Sequence, residues 1–411
     1  MDVLIIGGGI GGLTLALAVH AAKAARRIRV FEAAPEIHPL GVGINLGPHA
    51  VKELAALALQ GALAAVACQP QDYAFFTRHG QLVYREPSGL AAGHQWPHFS
   101  IHRADLHQVL LDAVLERLGP DNFITGWRCT SFEQSEAQVT ARFAAPDGAA
   151  LAPQRGDVLI ACDGVHSAVR AQLYPDEGPF VYRGINLWRG VTRMAPYLTD
   201  ASIARIGARH STLILYPIRK ADAAGRLLVN WVAEIEREFA VPVDWNKPGR
   251  LDDFLPVYQD WHFDWLDVPK MMHNAELILS YPMVDRDPLA HWSFGRVTLL
   301  GDAAHPMYPQ GGNGGAQAII DAATLARLLA SEGEPVAALK AYEAARLPVT
   351  SRIVLQNRSA PPNVIVDTVE QRTGDKRFER LEDVISQDEL RAIFERYQKV
   401  AGYHVQQVGK G

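Results

Sequence analysis

The residues best placed to do chemistry stand at the start of the chain: Gly7-Gly8-Gly9-Ile10-Gly11-Gly12, with Glu32 following twenty residues after Gly12. Gly7, Gly9 and Gly12 satisfy the spacing G-x-G-x-x-G. In that pattern the first glycine permits a tight turn and the second lets the backbone approach a pyrophosphate. The third lets helix and strand pack closely. A helix opening near Gly11 would turn its positive end toward the phosphates. An acid at the position of Glu32 accepts hydrogen bonds from a ribose diol and disfavours a 2′-phosphate. The chemistry implied is the binding of a dinucleotide.

Elements of the right kind must hold these residues. Val3-Leu4-Ile5-Ile6 reads as a short buried strand, the glycine run opens a helix through about Arg26, and Ile28 to Glu32 reads as a second strand. That is the beginning of a βαβ unit. Arg78-His79-Gly80-Gln81 sits between two β-rich runs as a hairpin, and Pro146-Asp147-Gly148 marks another. Leu106, Val109, Leu110, Ala113 and Val114 recur at helical spacing after Arg103. Residues 180 to 285 change character, with β-rich runs and five of the eight tryptophans. α/β character returns with Arg296 to Leu300 and long helical stretches, the last opened by a capping box of Ser386 and Glu389.

At 411 residues the chain exceeds one ordinary domain. Its formal net charge of −5 argues against nucleic acid as main partner, which would demand a basic surface. Cys68, Cys129 and Cys162 are scattered and odd in number, with neither a disulfide framework nor metal-ligand spacing, so the expected home is a reducing cytoplasm. The first apolar run is too short for a signal segment, no stretch reaches the length needed to span a bilayer, and no metal centre is expected.

Two further segments specify the dinucleotide. One is Asp157-Val158-Leu159-Ile160-Ala161-Cys162-Asp163-Gly164, continuing to Arg170. The other is Gly301-Asp302-Ala303-Ala304-His305-Pro306, continuing through Pro309 and Gly311-Gly312-Asn313-Gly314-Gly315 to Asp321. With all three signatures in order, residues 1 to about 360 resemble the single-component FAD-dependent aromatic hydroxylases, which share the para-hydroxybenzoate hydroxylase fold. Trp188-Arg189-Gly190, Asn313-Gly314 and Tyr281-Pro282-Met283-Val284-Asp285 are most similar to the phenazine hydroxylase branch, which includes a 5-methylphenazine-1-carboxylate 1-monooxygenase. Where the family often has Glu-Asp, this chain has Ile320-Asp321, which fits that branch.

The resemblance implies an α/β fold: a Rossmann-like FAD-binding domain (1–180 and 286–358), an inserted, mostly antiparallel substrate domain (181–285) and a C-terminal helical extension (359–411). A further β-rich part of the substrate domain is expected within 70–100. It implies FAD bound by Gly7, Gly9, Ile10, Gly11, Gly12, Glu32, Ala33, Gly43 and Ile44. Arg103 would lie near the phosphates. Asp163, Gly164, Gly301 and Asp302 would reach the flavin half, with Pro309, Gly312, Asn313, Gly314 and Gly315. Asp302 would hydrogen-bond the ribityl chain, and Pro309 would lie against flavin and substrate. The helix opened by the glycines would stabilise the anionic reduced flavin.

The activity implied is hydroxylation of an electron-rich aromatic or N-heteroaromatic, using NAD(P)H and O2 through a C4a-hydroperoxyflavin. The cofactor carries that chemistry, so no side chain is expected to be catalytic. His102, His166 and His305 read as structural residues near the cofactor. Trp188, Tyr216, Trp231 and Met283 are candidate pocket walls, with plain core packing as the alternative. Arg189 and Arg219 are candidate anchors for a substrate carboxylate, or else structural charges. The rival readings are a halogenase or reductase on the same fold, a two-component oxygenase, and a non-oxygenating flavoprotein that binds an aromatic or quinone. Residues 359–411 are expected to cover the active site or an interface.

Overall fold

A computed structural model of the chain describes all residues except 38–40, 209, 242, 360–363 and 409–411. Asp2–Ile6 is fully apolar after its first residue, so it can be buried on both faces, and it takes a central position in a six-stranded sheet. Arg27–Phe31 and Val158–Ala161 flank it in parallel register, with Val297–Leu299 beyond the latter. Phe123–Ile124 and the antiparallel Ser293–Phe294 close the two edges. The helix Ile10–Ala21 packs against the helix Asn313–Ser331. A hypothetical Cβ on Gly11 would rest 3.5 Å from that of Ala318, so small residues bring the two helices together.

The second sheet has seven strands, in the order Ala275–Asp285, Val181–Met194, Leu227–Glu236, Ser211–Arg219, Ser202–Ile206, Asp72–Phe76 and Leu82–Pro87. It is antiparallel except where Ser202–Ile206 runs parallel to Asp72–Phe76. The hairpin at residues 72–87 thus joins the inserted strands across more than a hundred residues of chain. Ser202–Ile206, buried throughout, carries no alternation and is absent from the β-rich runs seen in the sequence. One face of this sheet packs on Phe254, Tyr258, Trp261 and Met272; the other faces the FAD-domain side.

The C-terminal helices Val364–Thr373 and Gln387–Ala401 lie on the 72–87 hairpin through Val366, Val369, Leu390 and Phe394 against Phe75, Val83 and Tyr84. Ser386 caps the second of them, its Oγ accepting from the Glu389 N–H at 3.2 Å.

His49 and His98 are buried near this region, at 8% and 3% exposure. Burial, reinforced by Arg346 and His94 at His49 and by His49 and His94 at His98, pushes both imidazoles down to about 3. Their folded pKa values lie below the ordinary value near 6.5, so the stability they contribute is complete above that pH. It is lost as pH falls toward 3, at about 1.4 kcal/mol per pH unit for each histidine. Urea midpoints measured from pH 7.5 to 4.5 should hold steady at first, then drop below pH 6.5. A flat profile down to pH 5 would refute this.

Candidate active site

The glycine turn is set by close backbone approach. Gly7 has φ +103°, and a Cβ there would stand 2.3 Å from the Cys162 carbonyl; one on Gly12 would stand 2.0 Å from the Gly7 carbonyl. Gly9 has open space where its Cβ would be. The helix Ile10–Ala21 begins with no side-chain cap, so its first N–H groups open onto a cavity lined there by Gly9, Ile10 and Gly11. Glu32 directly follows the strand Arg27–Phe31, with Oε2 accepting from Gly8 N–H and Oε1 from Ala34 N–H, both at 2.8 Å. His107 holds the turn from the far side through the Gly8 carbonyl at 2.7 Å.

The cavity, about 760 Å³, runs from this turn between the two sheets. Arg103, Gly43 and Ile44 line one side. Gly164 and Val165 follow the strand Val158–Ala161 on another, and Gly301 and Asp302 follow Val297–Leu299. Ligands of open α/β sheets gather at such carboxyl ends. Asp163 sits just behind: its Oδ2 accepts from Ala168 N–H at 2.9 Å, while Oδ1 is buried without a partner. Its depth raises its carboxyl above the ordinary range. Asp302 is exposed to the cavity, where the surrounding protein raises its carboxyl, with His305 and Arg103 opposing.

A second uncapped helix start faces the same space. Gly312 precedes the helix Asn313–Ser331 without a side-chain cap, and Gly312, Gly314 and Gly315 line the cavity with Pro309. This loop rests on a buried network. Asp321 accepts from His305 Nε2 and Arg346 Nε, each at 2.6 Å, and from Gly301 N–H at 3.3 Å. Burial alone would raise the Asp321 carboxyl, but His305 and Arg346 hold it below its ordinary value. His305 is therefore committed to a buried structural contact with Asp321. His102 caps the helix Arg103–Leu118, and His166 accepts from Trp245 Nε1 at 3.2 Å.

At the other end the strands alternate between cavity and core. Leu187 and Arg189 face the cavity, as do Ile214, Tyr216, Val232 and Glu234. Trp188 and Trp231 therefore point to the opposite face and do not line it. Trp188 stacks on Phe254 at 5.4 Å between ring centroids. Trp231 lies over Gly190 and donates to Thr192 Oγ1 at 3.0 Å. Met283 is buried among Leu187, Tyr281 and Tyr308, beneath the wall rather than in it. Of the four side chains expected to line an aromatic pocket on these strands, the cavity receives Tyr216 alone.

Arg189 donates to the Gly43 carbonyl at 2.6 Å and to Tyr281 Oη at 3.2 Å, and its Nε is buried without a partner. Burial opposes its charge, yet Tyr281 and Tyr216 keep its pKa above the ordinary value. No ion pair reaches it among the described residues. Arg219, by contrast, is engaged by Asp105 at 2.6 and 2.7 Å. Arg205, which the sequence did not single out, also faces the cavity, but it pairs with Glu234 at 3.3 Å. Tyr73, Phe75, Phe394 and Tyr403 complete the walls. The signal for the inward set was the two-residue period of the strands: Trp188 and Arg189 are neighbours, so only one of them can face in.

Two helix N-termini aimed into one cavity, a carboxylate open to it and an unmet acceptor beside it suit an anionic dinucleotide with a polyhydroxyl chain. They define a flavin-dinucleotide protein. The chain belongs to the family whose model is described as FAD binding domain, which matches residues 1–357. It is 44% identical over 363 residues to a phenazine 1,6-dicarboxylic acid hydroxylase of Lysobacter antibioticus, covering 87% of this chain and 89% of that one. It is 32% identical over 366 residues to a 3-hydroxybenzoate 6-hydroxylase of Polaromonas naphthalenivorans, covering 87% and 86%. Among solved structures, HpxO of Klebsiella pneumoniae with FAD and uric acid is similar in fold (TM-score 0.72, 24% identity, covering 100% and 97%). A salicylate hydroxylase substrate complex is too (TM-score 0.74, 22% identity, 100% and 97%).

The protein is accordingly an FAD-dependent monooxygenase of the aromatic hydroxylase type, with NAD(P)H as co-substrate. This sets aside the non-oxygenating reading. Among the described residues no helix is long and apolar enough to cross a membrane, and no cluster of His, Cys, Asp and Glu could hold a metal ion.

Proposed function

We propose that the protein hydroxylates a fused N-heteroaromatic carboxylate of phenazine size, with Arg189 holding the carboxylate. The observation that carries this reading is a half-buried guanidinium without an ion pair among the described residues, facing a cavity whose neighbouring walls (Leu187, Ile214, Val232, Leu279) are apolar. A desolvated cation without a counter-charge costs folding energy, so a site that keeps one is suited to an anionic ligand. The relative at 44% identity acts on a phenazine dicarboxylic acid, which supports the same choice.

In this reading the diphosphate of FAD lies at the N–H groups of Ile10, Gly11 and Gly12, near Arg103. Glu32 accepts from the ribose diol, Asp302 from the ribityl hydroxyls, and the N-terminus of the Asn313 helix faces the pyrimidine edge of the flavin. Reduced by NAD(P)H, FAD supplies the activation of O2. The protein's own part is to orient the ring and exclude water. Leu187, Ile214 and Val232 pack an aromatic face, and Arg189 fixes its rotation about that plane. Pro309, which lines the cavity, would lie against flavin and substrate. Cys68, Cys129 and Cys162 are all free thiols, which supports a reducing cytoplasm as the working compartment.

The test is steady-state NAD(P)H oxidation with product identified by mass spectrometry, run on phenazine 1,6-dicarboxylate, phenazine-1-carboxylate, unsubstituted phenazine and 3-hydroxybenzoate. Carboxylated phenazines should give kcat/KM at least about tenfold above phenazine itself, the least expected of one charge-assisted hydrogen bond. Equal turnover of uncharged phenazine, or a preference for the single-ring acid, would overturn it.

A further inference from the structure

The C-terminal helix Gln387–Ala401 lies beyond the residues matched by the family model, yet it reaches into the loop before the Asn313 helix. Tyr397 is the point of entry. Its hydroxyl accepts from Asn313 Nδ2 at 2.9 Å and donates to Asn357 Oδ1 at 3.3 Å. Asn357 Nδ2 donates in turn to the Tyr308 carbonyl at 3.3 Å. One chain of hydrogen bonds therefore grips both ends of the segment 308–313.

That segment needs an external grip. Gly311 and Gly312 give it more conformational freedom than any other residue type would. Gly311 and Gly312 lie in the left-handed region, at φ +67° and +68°. The tyrosine ring packs so closely that a Cβ on Gly311 would stand 1.8 Å from Tyr397 Oη. The same helix sends Phe394 into the cavity, and Tyr403 follows just past its end. Gln317, which accepts from Arg346 at 2.6 Å, links the Asn313 helix to the Ala401 carbonyl at 3.4 Å.

We propose that Tyr397 is a positioning residue for the flavin: through Asn313 and Asn357 it fixes the glycine loop and the helix N-terminus that face the ring. The C-terminal helix thereby joins one wall of the cavity, through Phe394, to the loop that faces the cofactor. This rests on the placement of the flavin at that loop given above.

The test is Tyr397→Phe in the holoenzyme, which keeps the ring and removes the hydrogen bonds. Stoichiometric FAD should remain, with the reduction potential of the bound flavin altered. Product formed per NAD(P)H should fall roughly fivefold, within the range expected for one buried hydrogen bond. Asn313→Ala should reproduce both changes, and the double variant should be no worse than either single one. Phe394→Leu, which touches the cavity but not the loop, should raise KM for the aromatic and leave the potential alone. Wild-type potential and coupling in Tyr397→Phe, or losses that simply add to those of Asn313→Ala, would overturn the proposal. The potential reads Tyr397 whichever aromatic is the substrate. A failure of the substrate screen with an altered potential in Tyr397→Phe would therefore count against the substrate reading alone.

Discussion

Gly12→Ala should purify as a folded protein without flavin. The added Cβ would stand 2.0 Å from the Gly7 carbonyl and 3.3 Å from an Ile5 methyl. The first of these is backbone within a tight turn, and it cannot rotate away as a side chain would. Relief requires the helix Ile10–Ala21 to slide by more than 1 Å, a shift on the scale that forfeits hydrogen-bond geometry. The N–H groups of Ile10, Gly11 and Gly12 then miss the diphosphate. Losing two charge-assisted hydrogen bonds, at about 1.5–3 kcal/mol each, weakens FAD by roughly two to four orders of magnitude in Kd. The fold itself should lose about 1–3 kcal/mol, the usual cost of overpacking. Fluorescence titration of the apoprotein with FAD measures the first effect and urea unfolding the second. A yellow Gly12→Ala protein with a Kd within threefold of wild type would contradict the assignment of this turn.

The second large effect concerns Arg189, where activity and stability should part company. Arg189→Met keeps most of the volume and removes a half-buried charge that no ion pair holds among the described residues. Two effects oppose each other in the protein without substrate. The Gly43 carbonyl and Tyr281 hydroxyl lose a donor, at about 1 kcal/mol each. The partial desolvation penalty of the guanidinium disappears. The two offset each other, so Tm should change little. Turnover of a carboxylated aromatic should nonetheless fall by about a hundredfold in kcat/KM, a loss of about 2.7 kcal/mol of binding in the transition state. An uncharged analogue should change by no more than a few fold. Arg189→Lys should not restore the activity, because a single ammonium lacks the planar fork that meets a carboxylate bidentately. A parallel loss of Tm and activity would instead mark Arg189 as a structural residue.

The difference between Arg189 and Arg205 shows how far sequence reading reaches into the site. Both arginines stand on strands of the same sheet and both face the cavity. What separates them is Glu234, a partner on a different strand that forms its ion pair with Arg205 at 3.3 Å and reaches Arg189 only at longer range. Nothing local to either arginine records that pairing. The tryptophans make the same point in reverse. Trp188 and Trp231 are the large aromatics that composition picks out, and the pleat sends both into the core behind the sheet. A one-residue change of face is decided by which side of the sheet meets the FAD domain.

The dinucleotide turn was legible because its constraints are local. Gly7 and Gly12 are required by backbone approach, and Gly9 leaves open space beside the turn, all within one strand, one turn and one helix; Glu32 directly follows the very next strand. The signatures around Asp163 and Asp302 were legible for the same reason, since each ends a strand of the first sheet. The substrate end is different. It is assembled from the 72–87 hairpin, five inserted strands and the C-terminal helix, segments separated by up to three hundred residues of chain. The last of these, with Phe394 and Tyr397, shows in sequence a capping box but no cofactor motif, and packing against Phe75 and Tyr84 together with the Tyr397 hydrogen bonds brings it to the cavity. By itself, then, the sequence determined the cofactor, because binding a diphosphate is a short-range demand on backbone geometry. The tertiary structure decided which side chains meet the substrate, because facing, pairing and burial depend on partners distant in the chain.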